Sequence, residues 1–87
     1  MHEASLVSSL MRRIGGIAAA EGARRITGVS VWLGALSHMS AEHFGEHFVD
    51  AAAGSLAEGA EIECFTSDDI EDPRALDVVL KDIEVET

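Results

Sequence analysis

The stretch Arg25-Ile-Thr-Gly-Val-Ser-Val-Trp-Leu33, "RITGVSVWL", decides the fold class of this 87-residue chain. Its residues alternate. Thr27, Val29, Val31 and Leu33 fall on one side, and Ile26, Gly28, Ser30 and Trp32 on the other. A period of two with β-branched residues predicts a strand. The richer side, from Thr27 to Leu33, is expected to face the core. Trp32 falls on the sparser, open side, where a lone tryptophan is either a contact point or half covered by its neighbours.

On the N-terminal side of this strand, from about Ala4 to Glu21, Leu6, Leu10, Ile14 and Ile17 recur at helical spacing, flanked by Val7, Met11 and Ala18. That pattern predicts an amphipathic helix. Gly15-Gly16 lies inside it and costs about 1 kcal/mol per glycine relative to alanine, so close packing of this helix on a sheet is the expected reason for the pair. Gly22 suits a C-terminal cap. On the other side, "GALSHMSAEHFGEHFVDAAAGS" (34–55) reads as a loop and then a second helix. Ser40 can cap that helix by accepting from a first-turn amide, Phe44, Phe48, Ala51 and Ala52 supply its buried stripe, and Gly54 ends it. "EIECF" (61–65) is a short strand with Ile62 and Cys64 on one face. "TSDDIEDPRA" (66–75) is a polar loop turning at Asp72-Pro73. "LDVVLKDIEVE" (76–86) is the last strand, with Val79, Ile83 and Val85 sharing a face. The expected fold is one α+β domain over residues 1–87 in the order α-β-α-β-β, a two-layer sandwich with both helices on one face of a three-stranded sheet.

Composition narrows the function. The chain carries 6 basic and 16 acidic residues, a formal net charge of −10. Nucleic-acid binding depends on neutralising phosphates with Lys and Arg, and anionic membrane surfaces attract the same residues, so neither partner is expected. Four of the six basic residues, Arg12, Arg13, Arg24 and Arg25, lie in the first third of the chain, whereas ten of the acids lie from Glu61 onward. Such asymmetry suits protein partners. A domain of this size buries only about 60–65% of its unfolded surface. With Cys64 as its only cysteine, it has no disulfide framework, which points to a reducing compartment. Glu3 and the Arg12-Arg13 pair interrupt any leader-like apolar run. No stretch approaches the roughly 20 apolar residues of a membrane span. The cytoplasm is the expected location.

The chain opens "MHEASL". His2 is large, so Met1 is expected to be retained. The α-amine of Met1, the backbone nitrogen of His2 and its imidazole can close adjacent chelate rings on one metal, with the Glu3 backbone nitrogen as a fourth donor. Amide nitrogens bind only when deprotonated, and a planar nitrogen set is what Ni²⁺ or Cu²⁺ prefers. The alternative is structural: Glu3 favours the positive N-terminal end of the helix dipole. Elsewhere, His43 and His47 share a helix face four residues apart, without the order of a zinc-protease helix; a helix flank beside Phe44 and Phe48 is the plainer reading. Asp68, Asp69, Glu71 and Asp72 lack calcium-loop spacing and read as a solvated acidic turn. Cys64 alternates inward, where a thiol is usually inert. No nucleophile elbow, phosphate loop or Ser/His/Asp ordering appears, so the chain is not expected to be an enzyme.

"MHEASL", "RITGVSVWLGALSHMS", "GSLAEGAEIEC" and "LKDIEVE", in that order along nearly the whole chain, resemble the HypA/HybF family, the nickel-delivery proteins of nickel–iron hydrogenase maturation, sometimes also of urease. The resemblance implies a metallochaperone that binds Ni²⁺ transiently. It implies His2 as the essential ligand, with the terminal backbone of Met1 and with Glu3 completing the site. It further implies delivery to or through a maturation GTPase towards the hydrogenase large subunit or another nickel enzyme. The family also carries a zinc domain, usually two CxxC pairs, between its last two strands. Here an acidic loop near 66–76 stands in that place, and one cysteine cannot make a four-ligand structural zinc site, so no structural zinc is expected. The competing expectation is a zinc-less interaction module that docks on the GTPase, or self-associates as a homodimer, without transferring metal.

Overall fold

The computed structural model describes residues 3–87, with side chains described from Ser5 onward. The elements are α1 (Glu3–Ala20), β1 (Arg25–Leu33), α2 (Ala41–Ala52), β2 (Glu61–Thr66) and β3 (Val78–Glu86). The sheet order is β2-β1-β3, with β1 parallel to β2 and antiparallel to β3. A parallel pair needs a crossover connection, and α2 supplies it. Phe44 and Phe48 of α2 pack with Val7, Leu10 and Ile14 of α1 and with Val29, Val31 and Leu33 of β1 in a single buried cluster. The fold is therefore the expected two-layer α+β sandwich. Among the described residues no helix is long and apolar enough to cross a membrane.

Two β-bulges correct the side-chain assignments. Ile26 pairs with Val85 and Gly28 with Glu84, so Thr27 is an extra residue on β1. A bulge of this kind switches the side-chain alternation. Ile26, expected on the open face, is 2% exposed, and Thr27, expected inside, is exposed, where its hydroxyl donates to the Glu84 carbonyl (3.3 Å). On β3, Ser30 pairs with Asp82 and Val31 with Leu80, making Lys81 the extra residue. Val79 thus leaves the face of Ile83 and Val85 and stands opposite Trp32, while Val78 and Leu80 pack on the core.

The helices rotate slightly from expectation. The buried stripe of α1 is Val7, Leu10, Ile14 and Ala18, and Ile17 is exposed. On α2, Ala52 is buried and Ala51 is not. Ser40 caps α2 as expected, accepting from the His43 amide (3.1 Å). Gly15 and Gly16 are not packed on the sheet. Both are exposed, and an added Cβ would meet nothing within 4 Å. Gly15→Ala and Gly16→Ala are therefore each expected to stabilise the domain by about 0.5–1 kcal/mol, read as a higher urea midpoint with an unchanged slope.

The acidic loop does not hang free. Ala75 is 3% exposed. The Gly34 amide donates to the Asp77 carbonyl (2.9 Å) and the Leu36 amide to the Ala75 carbonyl (2.7 Å). The loop's own turn is closed by Asp72, whose carboxylate accepts from the Arg74 amide (2.8 Å). The β1–α2 and β2–β3 loops are thus bonded into one platform at one end of the sheet.

Candidate metal centre

The residues expected to hold metal sit at the chain's start. Met1 and His2 lie outside the described residues, as does the Glu3 side chain; the Glu3 backbone is the first residue of α1. First-turn amides of a helix have no intrahelical acceptor, so the Glu3 nitrogen is not committed to the helix ladder. Leu6, one turn further on, is half-buried and lines a cleft that also includes Ser37, His38 and Val78. The first turn of α1 therefore lies beside the two-loop platform.

The other candidates do not assemble a centre. Among the described residues, no three His, Cys, Asp or Glu side chains converge as a metal site would require. His43 is exposed and His47 half-buried on α2 beside the buried Phe44 and Phe48, in keeping with a helix flank. Cys64 is half-buried on β2, packed against the core, and burial pushes its thiol pKa up. A thiol held neutral in this way is a poor ligand and a poor nucleophile at neutral pH.

The open face of the sheet is strongly acidic at one end. Glu61, Glu63, Asp82 and Glu84 surround Gly28 and Ser30 in a shallow cavity of about 410 Å³. The Ser30 hydroxyl donates to Glu63 Oε1 (3.4 Å). The Glu84 side chain lies over Gly28, where a Cβ would stand 2.7 Å from its Oε1. Toward the other end the face turns cationic and aromatic. Lys81 Nζ lies 4.0 Å from the Phe65 ring centroid, a cation–π contact, and Trp32 is half-buried near Arg74. Sequence reasoning assigned no role to Ser37, Arg13 or Arg74. They are brought together only by the fold, and the one local signal was the "GALSH" loop directly after a strand.

Comparison with known proteins adds what geometry cannot. A family model described as hydrogenase/urease nickel incorporation, metallochaperone, HypA, matches residues 1–69. A hydrogenase maturation factor HypA of Chlorobium limicola is 40% identical over 63 residues, covering 72% of this chain and 54% of the relative. The HypA of Chlorobaculum tepidum is 39% identical over 62 residues, covering 71% and 55%. The chain thus spans about half the length of the curated relatives it matches. Among solved structures, the solution structure of the Ni metallochaperone HypA from Helicobacter pylori superposes with a TM-score of 0.83 at 22% identity, covering 99% of this chain and 98% of that one. At that identity the likeness bears on the fold.

Proposed function

The chain belongs to the HypA family, and we propose from that premise that it is a nickel metallochaperone holding Ni²⁺ at Met1, His2 and Glu3. The observation that carries this reading is that the family match begins at residue 1 and so takes in the Met-His-Glu opening. The chemistry agrees. An amine, a deprotonated amide and an imidazole in adjacent chelate rings form the kind of planar nitrogen set that suits Ni²⁺, and Glu3 adds a backbone nitrogen or a carboxylate oxygen. The metal is cargo here. A site on the chain's outermost residues can surrender it to a partner without the sandwich opening. The proposed recipients are a maturation GTPase and, through it, the hydrogenase large subunit or another nickel enzyme such as urease. No group of this chain is assigned a catalytic step.

The test is a calorimetric titration of the untagged protein with Ni²⁺ beside His2→Ala. Loss of the high-affinity event in the variant, with an unchanged circular dichroism spectrum, is the expected result. Equal affinities would remove the terminal site and leave a docking module as the better reading.

A further inference from the structure

We propose that the cleft between α1, the β1–α2 loop and the β2–β3 loop is a docking site for an acidic, leucine-flanked peptide segment of a partner protein. The cleft has a volume of about 610 Å³, within the range of specific ligand sites. Arg13 enters it from α1 and Arg74 from the β2–β3 loop. Both are exposed, and among the described residues neither guanidinium has an ion-pair partner. In a chain of net charge −10 with only six basic residues, two unneutralised arginines facing one cleft are a local reversal of the molecule's field. Among the described residues one carboxylate, that of Asp77, shares the wall with them, against two guanidiniums.

Ser37 is the second observation. It is nine-tenths buried, lines the cleft, and its hydroxyl has no hydrogen-bond partner among the described residues. A buried polar group left unpaired costs about 1–3 kcal/mol. The next residue, His38, sits at the rim with φ 59°, in the left-handed region that non-glycine residues seldom enter. The unpaired hydroxyl is a local cost that a bound partner can relieve by accepting its hydrogen bond. The walls themselves are fixed by the backbone bonds from Gly34 and Leu36 to the β2–β3 loop, so little ordering has to accompany binding.

The chemistry of the occupant follows from the lining. Arginine forks match carboxylates in paired hydrogen bonds, and the Ser37 hydroxyl can donate to a further oxygen. Leu6 and Leu36 on the near side and Leu76 on the far side, the last 69% exposed, need apolar side chains to cover them. A compact anion would satisfy the arginines and leave the leucines wet. The cleft also runs on along α1 into a smaller hollow of about 220 Å³ that shares Leu6, Arg13 and Val78 and ends at Ser9 and Leu10. That continuation suits an extended chain, which rises about 3.3 Å per residue. The recognition chemistry stands without metal, so it does not depend on the terminal nickel site.

The test is an amide-shift titration by NMR of the full chain, without metal, at physiological ionic strength. The probes are the capped peptide Leu-Glu-Glu-Leu, its Leu-Gln-Gln-Leu counterpart, glutarate and inorganic phosphate. The acidic peptide is expected to saturate shifts at Ser37, His38 and Leu76. The glutamine peptide is expected to bind about tenfold more weakly or worse. Arg13→Gln combined with Arg74→Gln is expected to lose about tenfold as well, whereas Arg24→Gln, whose guanidinium pairs with Glu86 (3.2 Å) at the opposite end of β1, should bind as the parent does. Ser37→Ala is expected to weaken binding by about threefold to tenfold. Equal affinity for the two peptides, parent-like binding by the double arginine variant, glutarate or phosphate matching the peptide, or the absence of saturable shifts at these residues would each overturn the proposal. The arginine variants change exposed side chains, and a retained amide spectrum verifies their fold.

Discussion

Gly34→Ala is expected to destabilise the domain by about 3 kcal/mol or more, a large share of the 5–15 kcal/mol typical of a folded domain. Gly34 follows the last residue of β1 and lies beneath the β2–β3 loop. A Cβ there would stand 2.6 Å from the Ala75 carbonyl carbon and 2.6 Å from the Arg74 carbonyl oxygen, with the Ala75 oxygen nearer still. Those are backbone atoms, so no rotamer change can relieve the clash. The loop would have to lift, which would break the Gly34-to-Asp77 and Leu36-to-Ala75 hydrogen bonds and uncover Ala75. Urea unfolding beside Gly15→Ala, an exposed helical glycine with open space around it, separates a clash from a generic glycine effect. The two variants are expected to move in opposite directions. A Gly34→Ala midpoint within error of the parent would show that the two loops are not locked together.

That opposition between glycines marks where sequence stops being informative. Gly15-Gly16 and Gly34 look alike in the chain, and periodicity assigns the first pair the packing role that the third residue in fact has. Whether a glycine is required depends on what approaches its missing Cβ, and at Gly34 the approaching atoms come from some forty residues later. The elements themselves were legible, because helix and strand periods are local. Their faces were legible only up to the bulges. One extra residue at Thr27 and another at Lys81 reverse the alternation, and a two-residue period carries no mark of where it is interrupted. The cleft was illegible for the same reason as Gly34: Arg13 and Arg74 are separated by the whole sandwich in sequence and meet only at its end. The proposed terminal metal site is the reverse case. Its donors lie on three adjacent residues and call for no tertiary partner, but those three residues alone leave the helix-dipole reading open, and it is the resemblance along nearly the whole chain that favours metal.

Because such a chelate is built from groups that must lose protons, its nickel affinity is expected to fall steeply as the pH is lowered. Each proton displaced on binding contributes a factor of about ten per pH unit. If the His2 and Glu3 amides both ligate, two protons leave at every pH below their ionisation. The α-amine adds a third below about pH 7.7–8.0, and the imidazole a fourth below about pH 6.5. Apparent affinity should therefore drop about a thousandfold between pH 7.5 and 6.5, and faster below that. If Glu3 offers its carboxylate instead, one amide proton is retained and the drop is about a hundredfold. An imidazole acting alone would give almost no change across that interval, because a neutral imidazole loses no proton. Calorimetric titration at pH 6.5, 7.0 and 7.5 distinguishes these slopes, and proton release measured in buffers of different ionisation enthalpy checks the count independently. Two residues added ahead of Met1 provide the decisive control. They carry the amine away from His2 and open the first chelate ring, so the affinity at pH 7.5 is expected to fall by about a hundredfold or more while the dependence flattens toward that of a lone imidazole. Parent-like affinity in the extended protein would place the nickel elsewhere on the chain.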